Sequence, residues 1–269
     1  MIITGVQFDI VWEDPQANFK KVREILAKNP PAPGGLIVLP EMFATGFSFV
    51  THVTLSAGRP SEDFLKEIAK KYSCYVIGGL IDRAANGHPY NYASLVTPTG
   101  ERILRYKKIH PFDGERYAYQ AGNRICTTQV SEFKICPQIC YDLRFPETFR
   151  QAALGRTELF VVIANWPSVR DHHWKTLLQA RAIENQAYVV GVNRTGQDLS
   201  LEYSGYSMII DYSGNILAQA TDAECVISAG ISQEKILEFR KNFPFLDDMN
   251  PNLASCDFSQ SKNRLRTLH

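Results

Sequence analysis

Residues 133–147 constrain the fold of this chain more than any other stretch. The segment 133–139 is largely apolar and reads as a strand, while Pro146 followed by Glu147 suits the first turn of a helix, where a missing N–H and an anion both fit. Cys140, in the run ICYDLRFPE (139–147), therefore stands on a strand-to-helix turn. Such a turn presents a side chain at the end of a sheet and can leave the next N–H, here that of Tyr141, available to a developing oxyanion. Taken alone, the same pattern also fits a small apolar core cysteine.

The rest of the chain alternates between two periods. Apolar strand-like runs at 2–10, 36–39, 74–81, 90–96, 102–106 and 124–130 precede the cysteine strand, and others follow at 159–164, 188–193, 206–211, 216–220 and 225–230. Asp14 is placed to cap a helix beginning at Pro15, with Phe19, Val22 and Leu26 on one face. Ser61 is placed to cap a second, with Phe64, Leu65, Ile68 and Ala69 inward. A third, over 172–186, presents Trp174, Leu177, Leu178 and Ala182; a last one spans 232–242, and 212–215 (YSGN) reads as a hairpin turn. This is a mixed α/β pattern, and helices on the outer faces of sheets require a layered sandwich. Pro137 within its strand predicts an irregularity or bulge, because proline removes a ladder donor. Residues 1–245 are expected to form one domain. The polar tail 246–269 either crosses onto a partner subunit or stays unattached.

Charge and cysteine content narrow the function. The 29 basic residues against 28 acidic ones offer no bulk attraction to nucleic acid or to a membrane surface, so a small-molecule partner is expected. The six cysteines, at 74, 126, 136, 140, 225 and 256, have neither dense disulfide spacing nor a paired Cys-x-x-Cys pattern, and no metal or cofactor is expected. The first ten residues lack a basic region with a cleavage signal, and no apolar run reaches membrane-spanning length. A reducing, cytoplasmic setting is the expectation.

Two further segments bear on Cys140. The run LIVLP (36–40) ends in Pro40 and is followed at once by Glu41, a carboxylate at the C-terminal end of a strand, where α/β proteins bind ligands. The run RYKKIHPF (105–112) follows the turn TPTG (97–100) and a strand, and by itself would pass for a basic surface loop. Glu41, Lys108 and Cys140, each after its own strand and in that order, resemble the Glu-Lys-Cys triad of the nitrilase superfamily, the carbon–nitrogen hydrolases. Lys108 rather than Lys107 takes the lysine position because His110 holds the histidine position two residues on, and Glu115 matches a further glutamate after the lysine loop. The resemblance runs from Ile2 to about Phe243. It sharpens toward the omega-amidase branch in ANWP (164–167), in His173-Trp174, in LLQARAIENQAYV (177–189) and in Asn193-Arg194. It implies an α-β-β-α sandwich extended across a homodimer, or a higher homo-oligomer, and hydrolysis of the terminal amide of small 2-oxo acids such as 2-oxoglutaramate.

The chemistry can be reasoned from the residues as well. Amide hydrolysis needs a nucleophile, stabilisation of a tetrahedral oxyanion, a proton for the departing amine, and a base for the water that cleaves the acyl-enzyme. Cys140 would be the nucleophile and Glu41 the base and then acid. Lys108 would be the cation that joins the Tyr141 N–H at the oxyanion, and Glu115 the group that orients Lys108. Among substrate-binding candidates, Phe43 and Phe47 would narrow the mouth, Asn165 and Trp166 would close the same crevice, and Arg170 would clamp a carboxylate. Arg144 and Glu147 read as an ion pair bracing the turn, with substrate contact as the alternative. Two other functions remain open at this level. One keeps the machinery with a nitrile, an N-carbamoyl compound or another aliphatic amide as substrate, and the other is a non-catalytic binding protein on the same fold.

Overall fold

The computed structural model describes residues 1–250; the expectation for 251–269 of the C-terminal tail lies outside the described residues. In chain order the elements are β1 (Ile2–Gln7), α1 (Pro15–Lys28), β2 (Leu36–Val38), α2 (Thr51–Tyr72), β3 (Tyr75–Arg83), β4 (Pro89–Val96) and β5 (Arg102–Lys107). Then come α3 (Glu115–Ala118), β6 (Thr128–Val130), β7 (Phe133–Ile139), α4 (Pro146–Leu154), β8 (Leu159–Ala164), α5 (Asp171–Asn185) and β9 (Tyr188–Asn193). The last are β10 (Thr195–Gln197), β11 (Glu202–Ser204), β12 (Met208–Ile210), β13 (Ile216–Gln219), β14 (Cys225–Gly230) and α6 (Gln233–Asn242).

Two six-stranded sheets carry the architecture, one ordered β14-β1-β2-β3-β4-β5 and the other β13-β12-β9-β8-β7-β6. They face one another, with α1 and α2 outside the first and α4 and α5 outside the second, an α-β-β-α sandwich. Strand periodicity explains why so many of these strands are apolar throughout. In β2, Leu36 and Val38 enter the core between the sheets, while Ile37 enters the core beneath α1 and α2. A strand covered on both faces has no polar side to show. The first strand is paired with a late one, since β14 runs antiparallel to β1 from Ile2↔Gly230 to Gln7↔Cys225.

Several sequence expectations are corrected. Ser61 is not a helix cap: α2 begins at Thr51, and Ser61 lies in its interior, its hydroxyl donating to the Ala57 carbonyl at 2.6 Å. The helix passes through Pro60 because the buried residues Ala57, Phe64, Leu65 and Ile68 hold one face continuously on β3. Pro137 makes no bulge, and β7 keeps an unbroken parallel register with β8 from Ile135↔Leu159 to Ile139↔Ile163. The reason is directional. The Ile139 N–H points away from β8, to the Asp142 carboxylate, and residue 137 shares its orientation; on that side β6 pairs only with Phe133 to Ile135, so no ladder bond is lost. The strand expected over 124–130 shrinks to Thr128–Val130, and that expected over 206–211 to Met208–Ile210.

Candidate active site

The ends of β2, β5, β7 and β8 converge, two from each sheet. Glu41 follows β2 in a turn where Met42 adopts φ +45°, and β3 passes so close that a Cβ on Gly79 would lie 2.5 Å from the Glu41 Cα. Glycine at 79 lets the strand lie against this turn. Cys140 itself has φ +47°, as the first residue of the 3-10 turn Cys140–Arg144. A left-handed non-glycine residue costs roughly 1–3 kcal/mol and persists only where its surroundings hold it. Tyr141 is next in that turn, where helical N–H groups have no partner within the helix.

Lys108 lies at the centre, wholly buried. Its ammonium donates to Glu41 Oε1 at 2.9 Å and to Glu115 Oε2 at 2.7 Å, which uses two of its three N–H bonds. Asn91 of β4 donates from one amide nitrogen to Glu41 Oε1 and to Glu115 Oε1, both at 2.8 Å. Across the sheet interface, the Asn165 backbone N–H donates to Glu41 Oε2 at 2.9 Å, and its side-chain amide to the Glu41 carbonyl at 2.7 Å. The Cys140 thiol donates to the Asn165 carbonyl at 3.7 Å. Thus Glu41, Lys108 and Glu115 are in direct contact, and Cys140 stands beside them with its proton directed at Asn165.

Protonation follows from burial and charge count. Burial alone would push Lys108 down, but Glu115 and Glu41 outweigh it and hold the ammonium above the ordinary lysine value. Burial pushes Glu115 up; Lys108 pulls against this and Glu41 adds to it, leaving its carboxyl above the usual range. Burial pushes the Cys140 thiol well up, the negative Glu41 raises it further, and Lys108 opposes both. Two carboxylates and one ammonium leave this enclosed cluster one negative charge in excess, so a free thiolate would be a second. Burial and this excess of negative charge both favour the neutral thiol at Cys140.

Above the thiol opens a cleft of about 380 Å³, open mouth included, walled by Phe47, Phe112, Tyr141, Trp166, Leu201 and Tyr203, with Cys140 and Asn165 at its floor. Phe47 lies 5.2 Å below the Lys108 ammonium. Arg144 and Arg170 both line the cleft: the first stacks over Trp166 at 4.7 Å, and the second over Phe112 at 5.6 Å. Among the described residues neither has a carboxylate within ion-pair distance. Burial, then the nearby Arg170, pulls Arg144 below the ordinary arginine value.

Phe47, Tyr141, Asn165, Trp166 and Arg170 thus meet at one cleft as the sequence suggests, but Phe43 does not. Its ring is wholly buried against Phe19 and Phe64, at 6.0 and 5.8 Å, beneath the helices. The turn after Glu41 sends its first aromatic into the core and its second into the cleft. The expected Arg144–Glu147 ion pair is likewise absent among the described residues, and Arg144 faces the cleft instead. Sequence reasoning missed Asn91, Asp142, Phe112 and Tyr203. A lone asparagine amid the apolar residues of β4 was a usable signal for the first; nothing local marked Tyr203, which a late hairpin delivers.

Comparison with known proteins converges on one group. The family model described as carbon-nitrogen hydrolase matches residues 3–241. The chain is 33% identical over 255 residues to a 2-oxoglutaramate amidase of Bacillus subtilis (strain 168), covering 93% of this chain and 98% of that protein. It is 38% identical over 250 residues to an omega-amidase, YafV, of Yersinia enterocolitica, covering 91% and 95%. In three dimensions it matches XC1258 from Xanthomonas campestris, a CN-hydrolase superfamily protein with an arsenic adduct in its active site. There the TM-score is 0.87 at 32% identity, over 93% of this chain and 97% of that one.

Proposed function

This chain belongs to the carbon–nitrogen hydrolase family, and on that premise we propose that it is an omega-amidase. It hydrolyses the terminal amide of small 2-oxo acids of the 2-oxoglutaramate kind to the dicarboxylate and ammonia. The observation that carries the substrate is the pair of guanidinium groups, Arg144 and Arg170, facing the cleft without a carboxylate of their own among the described residues. An anionic substrate supplies the missing partner, and its amide end then reaches the floor where Cys140 stands. Hydrogen bonds to charged groups of this kind are worth roughly 1.5–3 kcal/mol each.

The reaction follows from the charge balance. As the Cys140 sulfur attacks the amide carbon, its proton passes to Glu41, so the cluster gains no charge while the thiolate forms. Negative charge then develops on the former carbonyl oxygen, toward which the third Lys108 N–H and the Tyr141 N–H are offered. Glu41 returns the proton to the amide nitrogen, the C–N bond breaks, ammonia leaves, and a thioester joins the acyl group to Cys140. Water then enters, Glu41 takes its proton, and a second oxyanion collapses to release the acid and the thiol. Glu115 keeps Lys108 charged and aimed throughout.

The same reading includes a homodimer in which two sandwiches stack, and a cytoplasmic location suited to a catalytic thiol. Ammonia release measured with 2-oxoglutaramate beside N-carbamoyl amino acids and simple nitriles tests the substrate. Turnover of the first well above the others is expected, and silence on 2-oxoglutaramate at high enzyme concentration would defeat the proposal. Sedimentation of the purified chain tests the dimer.

A further inference from the structure

The Cys140 turn and the Lys108 segment belong to different sheets, and one buried carboxylate touches both. Asp142, wholly buried two residues after the thiol, accepts four hydrogen bonds. From the lysine segment come the Tyr106 hydroxyl to Oδ2 at 2.7 Å, the His110 N–H to Oδ1 at 2.9 Å and His110 Nδ1 to Oδ1 at 2.8 Å. From the nucleophile strand comes the Ile139 N–H to Oδ2 at 3.1 Å. These donors stand two residues to either side of Lys108 and one residue before Cys140. The His110 ring is fixed in turn by stacking on Phe145 at 3.7 Å, just beyond the nucleophile turn.

We propose that Asp142 is a positioning residue which sets the Lys108 ammonium in register with the Cys140 sulfur by pinning the ends of β5 and β7 to one another, a role that rests on the catalytic reading above. It complements Asn165, which joins Glu41 to the second sheet on the other side of the thiol. The left-handed backbone at Cys140 gives the clamp a reason. That turn is strained, and Asp142 satisfies the Ile139 N–H on its entry side while tying its interior to the facing sheet. Asp142 touches no part of the cleft, so its effect is exerted through the placement of other groups.

The test is Asp142→Asn in the full chain. The substitution preserves shape but turns an NH2 toward groups that are themselves donors. We expect kcat for ammonia release to fall on the order of 10²-fold, as misplacements of about 1 Å do, with KM little changed. In the absence of substrate, alkylation of Cys140 by iodoacetamide, followed by mass spectrometry, slows in parallel. Glu62→Gln, in a carboxylate cluster remote from the cleft, serves as the structural control and lowers the melting temperature without altering either rate. Should Asp142→Asn fail to fold, Tyr106→Phe, which deletes one of the four donors, shows a smaller fall of the same kind. A folded Asp142→Asn variant with parental kcat overturns the role, as does a loss of kcat with unchanged alkylation, or, where only Tyr106→Phe folds, parental rates in that variant. If the parent releases no ammonia from any amide, the omega-amidase reading fails, whereas the alkylation comparison still tests Asp142.

Discussion

Two buried carboxylate clusters on the first sheet make opposite use of the same chemistry. Glu62 of α2 accepts hydrogen bonds from Ser94, Arg102 and Arg105, and Arg105 also reaches Asp82, so two guanidiniums serve two carboxylates. Burial pushes Glu62 up, but the hydrogen bonds of Arg105, Ser94 and Arg102 prevail, and its carboxyl lies below the ordinary value. Glu41 and Glu115 share one ammonium in a drier place, and there Glu115 lies above it. A balanced cluster stabilises ionised carboxylates. A cluster one cation short raises the proton affinity of Glu115 instead, the kind of perturbation that gathers where ionisable groups are crowded at a cleft.

That contrast can be broken most sharply at the thiol. Cys140→Ala is expected to abolish amide hydrolysis, by about 10⁴-fold or more, while leaving the fold intact, and kinetics with a melting curve check both. Next in size is Lys108→Met, which leaves two buried carboxylates facing each other. Activity is expected to fall by roughly 10²–10³-fold and stability by about 3–5 kcal/mol. Arg105→Met, the equivalent change in the other cluster, is expected to cost about 1–3 kcal/mol of stability with kcat unaltered, and denaturant titration beside turnover separates the two. If both substitutions affected only stability, the distinction between the clusters would collapse.

Smaller effects sharpen it further. Arg170→Gln or Arg144→Gln is expected to raise KM for a 2-oxo-acid amide by about 10–100-fold and to leave an uncharged aliphatic amide nearly untouched. Phe43→Ala is expected to destabilise by about 3–5 kcal/mol with little change in KM, whereas Phe47→Ala does the reverse, since one ring is core and the other cleft wall. The smallest effect concerns acid. Because the folded pKa of Glu62 is depressed, its contribution is present above the unfolded value of about 4.3 and is lost as pH falls through the lower folded value. Glu62→Gln should therefore flatten the acid limb of the stability curve, and an unchanged limb would remove Glu62 from the account.

Much of this was readable along the chain. Strands covered on both faces announce themselves as unbroken apolar runs, and a reactive residue directly after such a run, as at Glu41 and Cys140, lies where sheets open toward ligands. Lys108 and Glu115 were legible only through the family resemblance, since the run 105–112 by itself reads as a basic surface loop. Phe43 was misplaced because a turn can send its aromatics to opposite sides, and the backbone here reverses at Met42 and again at Gly46, both with positive φ, between which Phe43 turns inward. Ser61 failed because a serine before an apolar stripe looks like a cap unless the buried face upstream, at Thr54 and Ala57, is known.

The sequence by itself determined the α/β pattern, the residue types that can attack, carry charge and move a proton, and the strand ends on which they stand, since periodicity and turn chemistry are local properties. Only the tertiary structure decided that one ammonium would be shared between two carboxylates, that burial would push the Cys140 thiol up, that Arg144 would face the cleft, and that Asp142 would join the two sheets. Those are facts about distance and dielectric between segments tens of residues apart. Neither quantity exists until the sheets have closed on one another and driven out the water between them.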